Sequence, residues 1–303
     1  VMAGSTGNSS VLRQPESSVP HTAVTTANLR AVRIAERINT KVRPPMHPPL
    51  PTPYQDLAER VFTVADADGF NALALALFRL HAAHNPVYRG FLKGLGTNVE
   101  AVELVADIPC LPIGLFRNHR VLLDGLEPAL TFTSSGTTGA VTSSHHVPWP
   151  SLYERSFLHS FEAEYGPVTE WRILALLPAY LERSGSSLVY MAEQLIARSG
   201  DPLSGTYLYQ YDRLASVLKQ SEAEGKKTLL LGVTFALLDL AEQHPMALRH
   251  TTIMETGGMK GRRPELVRDE LHAILKRSFG VLAIHSEYGM TELLSQAWST
   301  GEG

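Results

Sequence analysis

The sequence is poor in several features that would fix its class at once. It holds one cysteine, Cys110, in 303 residues. A single thiol cannot close an internal disulfide, which removes the stapled secreted scaffolds and makes a reducing cytoplasm the default setting. There is no uncharged apolar run of membrane-spanning length and no apolar core of a secretory signal near the start. There is no basic excess either. Its 27 Lys and Arg stand against 30 Asp and Glu, a formal net charge of -3, whereas a dedicated nucleic-acid binder carries a basic face. No internal repeat appears, and no Gly-Lys-Ser/Thr of a Walker phosphate loop.

What is present is ordinary in bulk and uneven along the chain. Apolar residues at 44 % and charged residues at 19 % describe a soluble globular protein. The length admits one large domain or two ordinary ones. The first 53 residues stand apart, with eight of the 19 prolines, six Lys or Arg and two acidic residues. Pro44-Pro45, Pro48-Pro49, Pro51 and Pro53 favour extended polyproline backbone and block regular structure. Residues 1–53 are therefore expected to be a disordered tail, with a short helix around Leu29–Ile38, and residues 54–303 an ordered domain. Few acids and several arginines also suit an organelle transit peptide, although a clean amphipathic pattern is missing.

From Tyr54 onward the pattern alternates. Phe70, Leu73, Leu77 and Leu80, with Ala74 and Phe78, recur at helical spacing and predict one buried face, ended by Asn85-Pro86. Asp66-Ala67-Asp68-Gly69 reads as a helix-start turn, since the other ligands of a calcium loop are absent. Cys110, among apolar neighbours, reads as a buried inert thiol. Strands are expected at Arg120–Leu123, Arg172–Leu177, Thr206–Gln210, Thr228–Leu231, Thr252–Glu255 and Val281–Ile284. Helices are expected at Leu188–Ile196, at Asp212–Glu224 with Asp212 as cap, and at Phe235–Gln243. A further helix has Pro264 in its first turn, Leu266, Leu271, Ile274 and Leu275 on its buried face and Gly280 as C-terminal cap. Short apolar strands alternating with helices imply an α/β fold with a mostly parallel sheet flanked by helices. Ligand sites in such sheets lie at the carboxyl ends of the strands, here after Leu177, Glu255 and Ile284.

Two stretches carry candidate chemistry. Thr133-Ser134-Ser135-Gly136-Thr137-Thr138-Gly139 combines flexible backbone, exposed amides and short hydroxyl donors, which together can cradle an anion. Composition alone describes a surface linker before it describes an anion site. Ser286-Glu287-Tyr288-Gly289-Met290-Thr291-Glu292 lies far downstream. Taken singly, Glu292 reads as a helix-start carboxylate, Tyr288 as core and Gly257-Gly258 as a turn. His145-His146 sits on strand-like sequence, where neighbours point to opposite faces and rarely share a metal. The pair reads as structural or substrate-side, with His146 kept as a candidate site residue. His285 reads as packed.

The first stretch resembles the phosphate loop of the adenylate-forming (AMP-binding, acyl-CoA synthetase-like) superfamily, and Tyr288-Gly289-Met290-Thr291-Glu292 resembles that superfamily's Tyr-Gly-x-Thr-Glu element. A narrower resemblance is to the acyl-protein synthetase (LuxE-type) family. It rests on Leu111-Pro112-Ile113, Leu177-Pro178-Ala179-Tyr180-Leu181-Glu182-Arg183, Ser186-Ser187-Leu188-Val189-Tyr190-Met191 and Glu255-Thr256-Gly257-Gly258-Met259-Lys260-Gly261-Arg262. The resemblance covers residues 54–303. It implies the large N-terminal domain of an adenylate-forming enzyme, and, since no match to the small C-terminal domain or to the acyl-accepting cysteine occurs, a domain truncated before that part.

The resemblance further implies a ligase that uses ATP and Mg²⁺ to activate a long-chain fatty acid as acyl-adenylate and then passes the acyl group to a protein thiol. An acyl-acceptor or acyl-donor protein is then an expected partner. Thr133, Ser134, Ser135, Gly136, Thr137, Thr138 and Gly139 would hold the β- and γ-phosphates. Thr291 would approach the α-phosphate and Glu292 would hold Mg²⁺. Tyr288, Gly289, Met290 and the Gly257-Gly258-Met259 turn would bracket adenine. Lys260, Arg262 or Arg183 would meet phosphate or carboxylate. An acyl- or aryl-CoA ligase shares the first half-reaction, and a non-catalytic nucleotide-binding fragment is the reading from another class. Gly232-Val233-Thr234-Phe235-Ala236-Leu237-Leu238 reads as a strand-to-helix core segment before it reads as an acyl pocket.

Overall fold

Asp66 opens the first long helix by accepting the Gly69 N–H at 2.7 Å, so Asp66-Ala67-Asp68-Gly69 is a helix start. The computed structural model describes residues 50–134, 142–178, 185–257 and 266–301. The helix expected around Leu29–Ile38, and Pro264, lie outside them. All described residues belong to one compact unit.

Three helices lead the described chain: α1 (Thr52–Thr63), α2 (Ala67–His84) and α3 (Pro86–Leu95). Asn85 ends α2 and caps α3, its Oδ1 accepting from the Val87 and Tyr88 amides. The cap satisfies two of the donors that a helix start leaves over. Leu73, Phe78, Ala82, Tyr88, Leu92 and Val102 are buried there, most of them in a small cluster of their own. Phe70 does not belong to that face: it is 54 % exposed. The buried stripe drifts round the helix from Leu73 through Phe78 to Ala82 and leaves Phe70 outside. Cys110 also departs from expectation, being exposed; the proline-punctuated segment around it runs over the surface. Arg120–Leu123 forms no strand. Arg120 is drawn instead to Glu127 and the Leu126 carbonyl.

A short helix, α4 (Leu115–Asn118), precedes a two-stranded antiparallel hairpin, β1 (Leu130–Thr133) and β2 (Ser144–Val147). The main sheet has six strands: β3 (Arg172–Leu176), β4 (Gly205–Thr206), β5 (Thr228–Gly232), β6 (Thr251–Glu255), β7 (His285–Gly289) and β8 (Gln296–Ser299). Their order is β4-β3-β5-β6-β7-β8, all parallel except the edge strand β8. Every residue of β3 and β5 is buried, as a parallel sheet covered on both faces requires.

Helices α5 (Pro150–Tyr165) and α6 (Ser187–Ser199) pack together, α5 meeting β8 and α6 meeting β3 and β4. Helices α7 (Tyr211–Glu224), α8 (Thr234–Gln243) and α9 (Arg268–Phe279) pack in series, with α7 on β6. The core includes Tyr153, Phe157, Phe161, Leu174, Leu230 and Phe235; each such side chain is worth about 1.5–3 kcal/mol of transfer free energy. Gly232 to Leu238 belongs to this core. No helix among the described residues is long and apolar enough to cross a membrane.

Three boundaries differ from the sequence pattern for local reasons. β4 ends at Thr206 because Leu208 takes a positive φ of 48°, which a strand cannot continue. α7 starts at Tyr211, so Asp212 sits in its first turn without capping it. The apolar run Val281–Ile284 is not the strand. Leu282 is 97 % exposed, and the ladder with β6 begins at His285. Gly280 caps α9 with φ 63° as expected.

Candidate functional site

The hairpin brings the first half of the candidate site together. Thr133 ends β1, and Ser134 pairs with Ser143 twice: Ser134 N–H donates to the Ser143 carbonyl at 3.0 Å, and Ser134 Oγ accepts from the Ser143 N–H at 2.9 Å. The pair closes the base of the hydroxyl-rich loop. Ser135, Gly136, Thr137, Thr138 and Gly139 lie outside the described residues, as do Arg183, Gly258, Met259, Lys260 and Arg262.

Hydrogen bonds tie this hairpin to the start of α6 and to the turn after β7. Thr133 N–H donates to the Gly185 carbonyl at 2.8 Å, directly ahead of α6. Gly185 has φ 89°, and a Cβ there would meet Thr133 Oγ1 at 2.9 Å, so glycine is required on both counts. On β2, His145 Nδ1 bonds the Thr291 carbonyl at 3.0 Å across 146 residues. Burial lowers the His145 pKa, opposed by the Thr291 and Glu292 main chain and by the Glu292 charge. The ring packs on Phe116 with centroids 5.3 Å apart. His146 turns the other way and bonds Thr131 Oγ1 at 2.9 Å within the hairpin. The two histidines thus face apart, and the one that reaches the second motif is His145.

The second motif is a strand and a turn. Tyr288 and Gly289 lie on β7, so the ring of Tyr288 is 59 % exposed and the core reading of this residue fails. Its hydroxyl donates to Met290 Sδ at 3.0 Å. Gly289 leaves no room for a side chain: a Cβ would meet Glu287 Oε1 at 2.7 Å and Gln296 Nε2 at 2.9 Å. Thr291 and Glu292 occupy the turn that leads to β8, both half-buried. Glu292 is therefore not a helix-start carboxylate. His285, at the head of β7, bonds the Tyr165 hydroxyl at 3.0 Å and is packed on that ring.

The sequence motifs include Glu255, Ser286 and Glu287 but assign them no role, and Arg268, His272 and Gln296 lie outside every motif. Glu255 is the last residue of β6 and 7 % exposed. Its Oε2 accepts the Gly257 N–H at 2.6 Å, shaping a turn where Gly257 has φ 70°. Its Oε1 accepts from Ser286 Oγ at 2.7 Å, and Arg268 donates to that same Oγ at 2.6 Å. His272 Nε2 stands 3.9 Å from Glu255 Oε1 and has no hydrogen-bond partner among the described residues.

Glu255 and Ser286 are in register and so share a face of the sheet, while Glu287 points to the other. Glu287 is 9 % exposed, yet its Oε1 has no hydrogen-bond partner among the described residues. Burial, with repulsion from Glu255, pushes its carboxyl up to about 7 against a hydrogen bond from Gln296. Gln296 donates to the Tyr153 hydroxyl at 2.8 Å, and its Oε1 is likewise buried with no partner among the described residues. One signal for Glu255 was available in the sequence: a carboxylate closing an apolar strand directly before two glycines. Nothing local distinguishes His145 from His146, because only the fold decides which face meets the turn.

Glu255 and Glu287, two buried carboxyls of which Glu287 is raised to about 7, lie toward the carboxyl ends of parallel strands, where ligands bind in sheets of this kind. No protein-family model, no curated protein and no solved structure matches the chain.

Proposed function

We propose that the protein activates a carboxylic acid with ATP, as a ligase that forms an acyl-adenylate and passes the acyl group, long-chain fatty acyl in this reading, to a protein thiol. The observation that carries the reading is the His145–Thr291 bond. It joins the hairpin bearing Thr133 and Ser134 to the turn bearing Thr291 and Glu292, so the two stretches that resemble adenylate-forming motifs converge on one edge of the sheet.

The chemistry asks little covalent work of the protein. A carboxylate oxygen attacks the α-phosphorus, the bond to the bridging oxygen breaks, and pyrophosphate leaves. A thiolate then attacks the acyl carbonyl and AMP leaves. Both steps depend on positioning and on neutralising charge. Thr133, Ser134 and the loop after them would hold the terminal phosphates, and Tyr288, 59 % exposed, would offer its ring to adenine. Among the described residues no group of three His, Cys, Asp or Glu could hold a metal. Mg²⁺ takes one or two carboxylates plus substrate phosphates, so the lone half-buried Glu292 fits that demand. When bound, Mg²⁺ would offset phosphate charge.

ATP–pyrophosphate exchange over a panel of fatty and aromatic acids tests the reading. Exchange with fatty acids is expected, abolished in Glu292→Ala with the circular dichroism unchanged. Exchange followed by transfer to coenzyme A would replace the protein-thiol half with a CoA ligase. ATP binding without exchange for any acid would leave a non-catalytic nucleotide-binding domain.

A further inference from the structure

We propose that His145 is a positioning residue, whose Nδ1–H holds the Thr291 carbonyl and so sets the Thr291–Glu292 turn against the hairpin; the inference rests on the nucleotide-site reading above. A main-chain carbonyl only accepts. The 3.0 Å contact therefore fixes the tautomer with the proton on Nδ1. Phe116 packs on the ring at 5.3 Å between centroids and limits its rotation. On the far side of β2, the same residue type does a different job: His146 bonds Thr131 within the hairpin and ties the hairpin only to itself.

The turn that His145 holds lacks ladder bonds of its own. It begins after Gly289, the last β7 residue paired with β8, and Leu293 N–H to the Met290 carbonyl at 3.0 Å closes it. Its place relative to the hairpin is therefore set by contacts from outside, of which the imidazole bond is one. Thr291 and Glu292 must lie within hydrogen-bond or metal-ligand reach of phosphate oxygens, where an error of about 1 Å costs on the order of 100-fold in rate. A bond that fixes the turn but touches no substrate should act on turnover more than on substrate binding.

Three variants separate positioning from packing. His145→Phe keeps the ring on Phe116 and removes the donor. His145→Asn keeps a donor near the Nδ1 position. His145→Ala removes both. In the exchange assay, His145→Phe should lose about 10- to 100-fold in kcat with KM for the acid within about threefold, and Asn should recover most of that loss. Equal losses in Phe and Asn, or a loss confined to KM, would overturn the assignment. Amide hydrogen exchange reads the same bond without activity. In His145→Phe, residues 290–294 should exchange faster while β3 and β5 stay unchanged. Wild-type enzyme inactive with every acid, together with faster exchange of 290–294 in the variant, would reject the catalytic reading and keep the latch. Unchanged exchange in 290–294 would reject the latch itself.

Discussion

Buried charge occurs at both ends of the main sheet, and the two ends treat it in opposite ways. At the amino end of β3, Arg172 is 4 % exposed and every contact is answered. Its Nε and Nη2 bind Asp201 at 2.9 and 3.3 Å, Nη1 donates to Ser221 Oγ at 2.9 Å, and Nη2 also reaches Glu224 at 2.9 Å. Burial works against the charge on Arg172, yet its bonds to Asp201 and Glu224 outweigh it and its pKa stays above the ordinary value. Asp201 is correspondingly held low, since the Arg172 bonds outweigh the effect of burial. At the carboxyl ends of β6 and β7, by contrast, Glu287 Oε1, Gln296 Oε1, Thr256 Oγ1 and His272 Nε2 are buried with no hydrogen-bond partner among the described residues. A saturated network holds elements together; an unsaturated one stores cost at the edge where ligands bind. The difference in saturation, more than the presence of charge, distinguishes the two ends.

The sharpest way to break that comparison is to unpair the amino end. Arg172→Ala leaves Asp201 buried without its cation and should cost roughly 3–5 kcal/mol, read from urea unfolding. A smaller loss would mean that Asp201 finds water or Lys226, 3.8 Å away, and that the network is less decisive than its geometry.

At the carboxyl end the sign reverses. Glu287 is raised from 4.5 to about 7, so between those values the folded state binds more protons than the unfolded one. Stability must therefore fall as pH rises through that window and level off above it, a loss of about 3 kcal/mol in all. Glu287→Gln should remove the slope and be more stable than wild type at about pH 8 by up to that amount, with little difference at about pH 4. A parallel pH dependence in the two proteins would show that Glu287 is not the group that titrates.

The smallest effect sharpens the role of burial. Lys227 and Glu170 form an exposed pair at 2.6 Å next to Arg172, whose N–H donates to the Lys227 carbonyl. Lys227→Ala should cost less than about 1 kcal/mol, measured in the same urea experiment. A loss as large as that of Arg172→Ala would mean that proximity to β3, not burial, sets the energy.

Much of the α/β frame was legible in the sequence because apolar strand residues are contiguous there. Arg172–Leu177, Thr228–Leu231 and Thr252–Glu255 each announce a buried strand, and Asn85-Pro86 and Gly280 announce helix ends. The clearest failure is the last parallel strand. In the last parallel strand the ladder runs through His285, Ser286, Glu287, Tyr288 and Gly289, polar residues kept in register by neighbours on β6 and β8. Tertiary pairing overrode the apolar signal of Val281–Ile284. The site was legible as two motifs but not as a network. Glu255, Ser286, Arg268 and His272 meet only after three elements pack, and no spacing along the chain encodes that.

Amide hydrogen exchange with and without ATP and Mg²⁺ tests the central claim most directly, since it compares both ends of the sheet in one sample. Protection is expected at 131–134, 142–147, 255–257 and 286–294, with none at Arg172, Asp201 or Ser221. Protection at the Arg172 end, or none at the carboxyl ends of β6 and β7, would contradict the account.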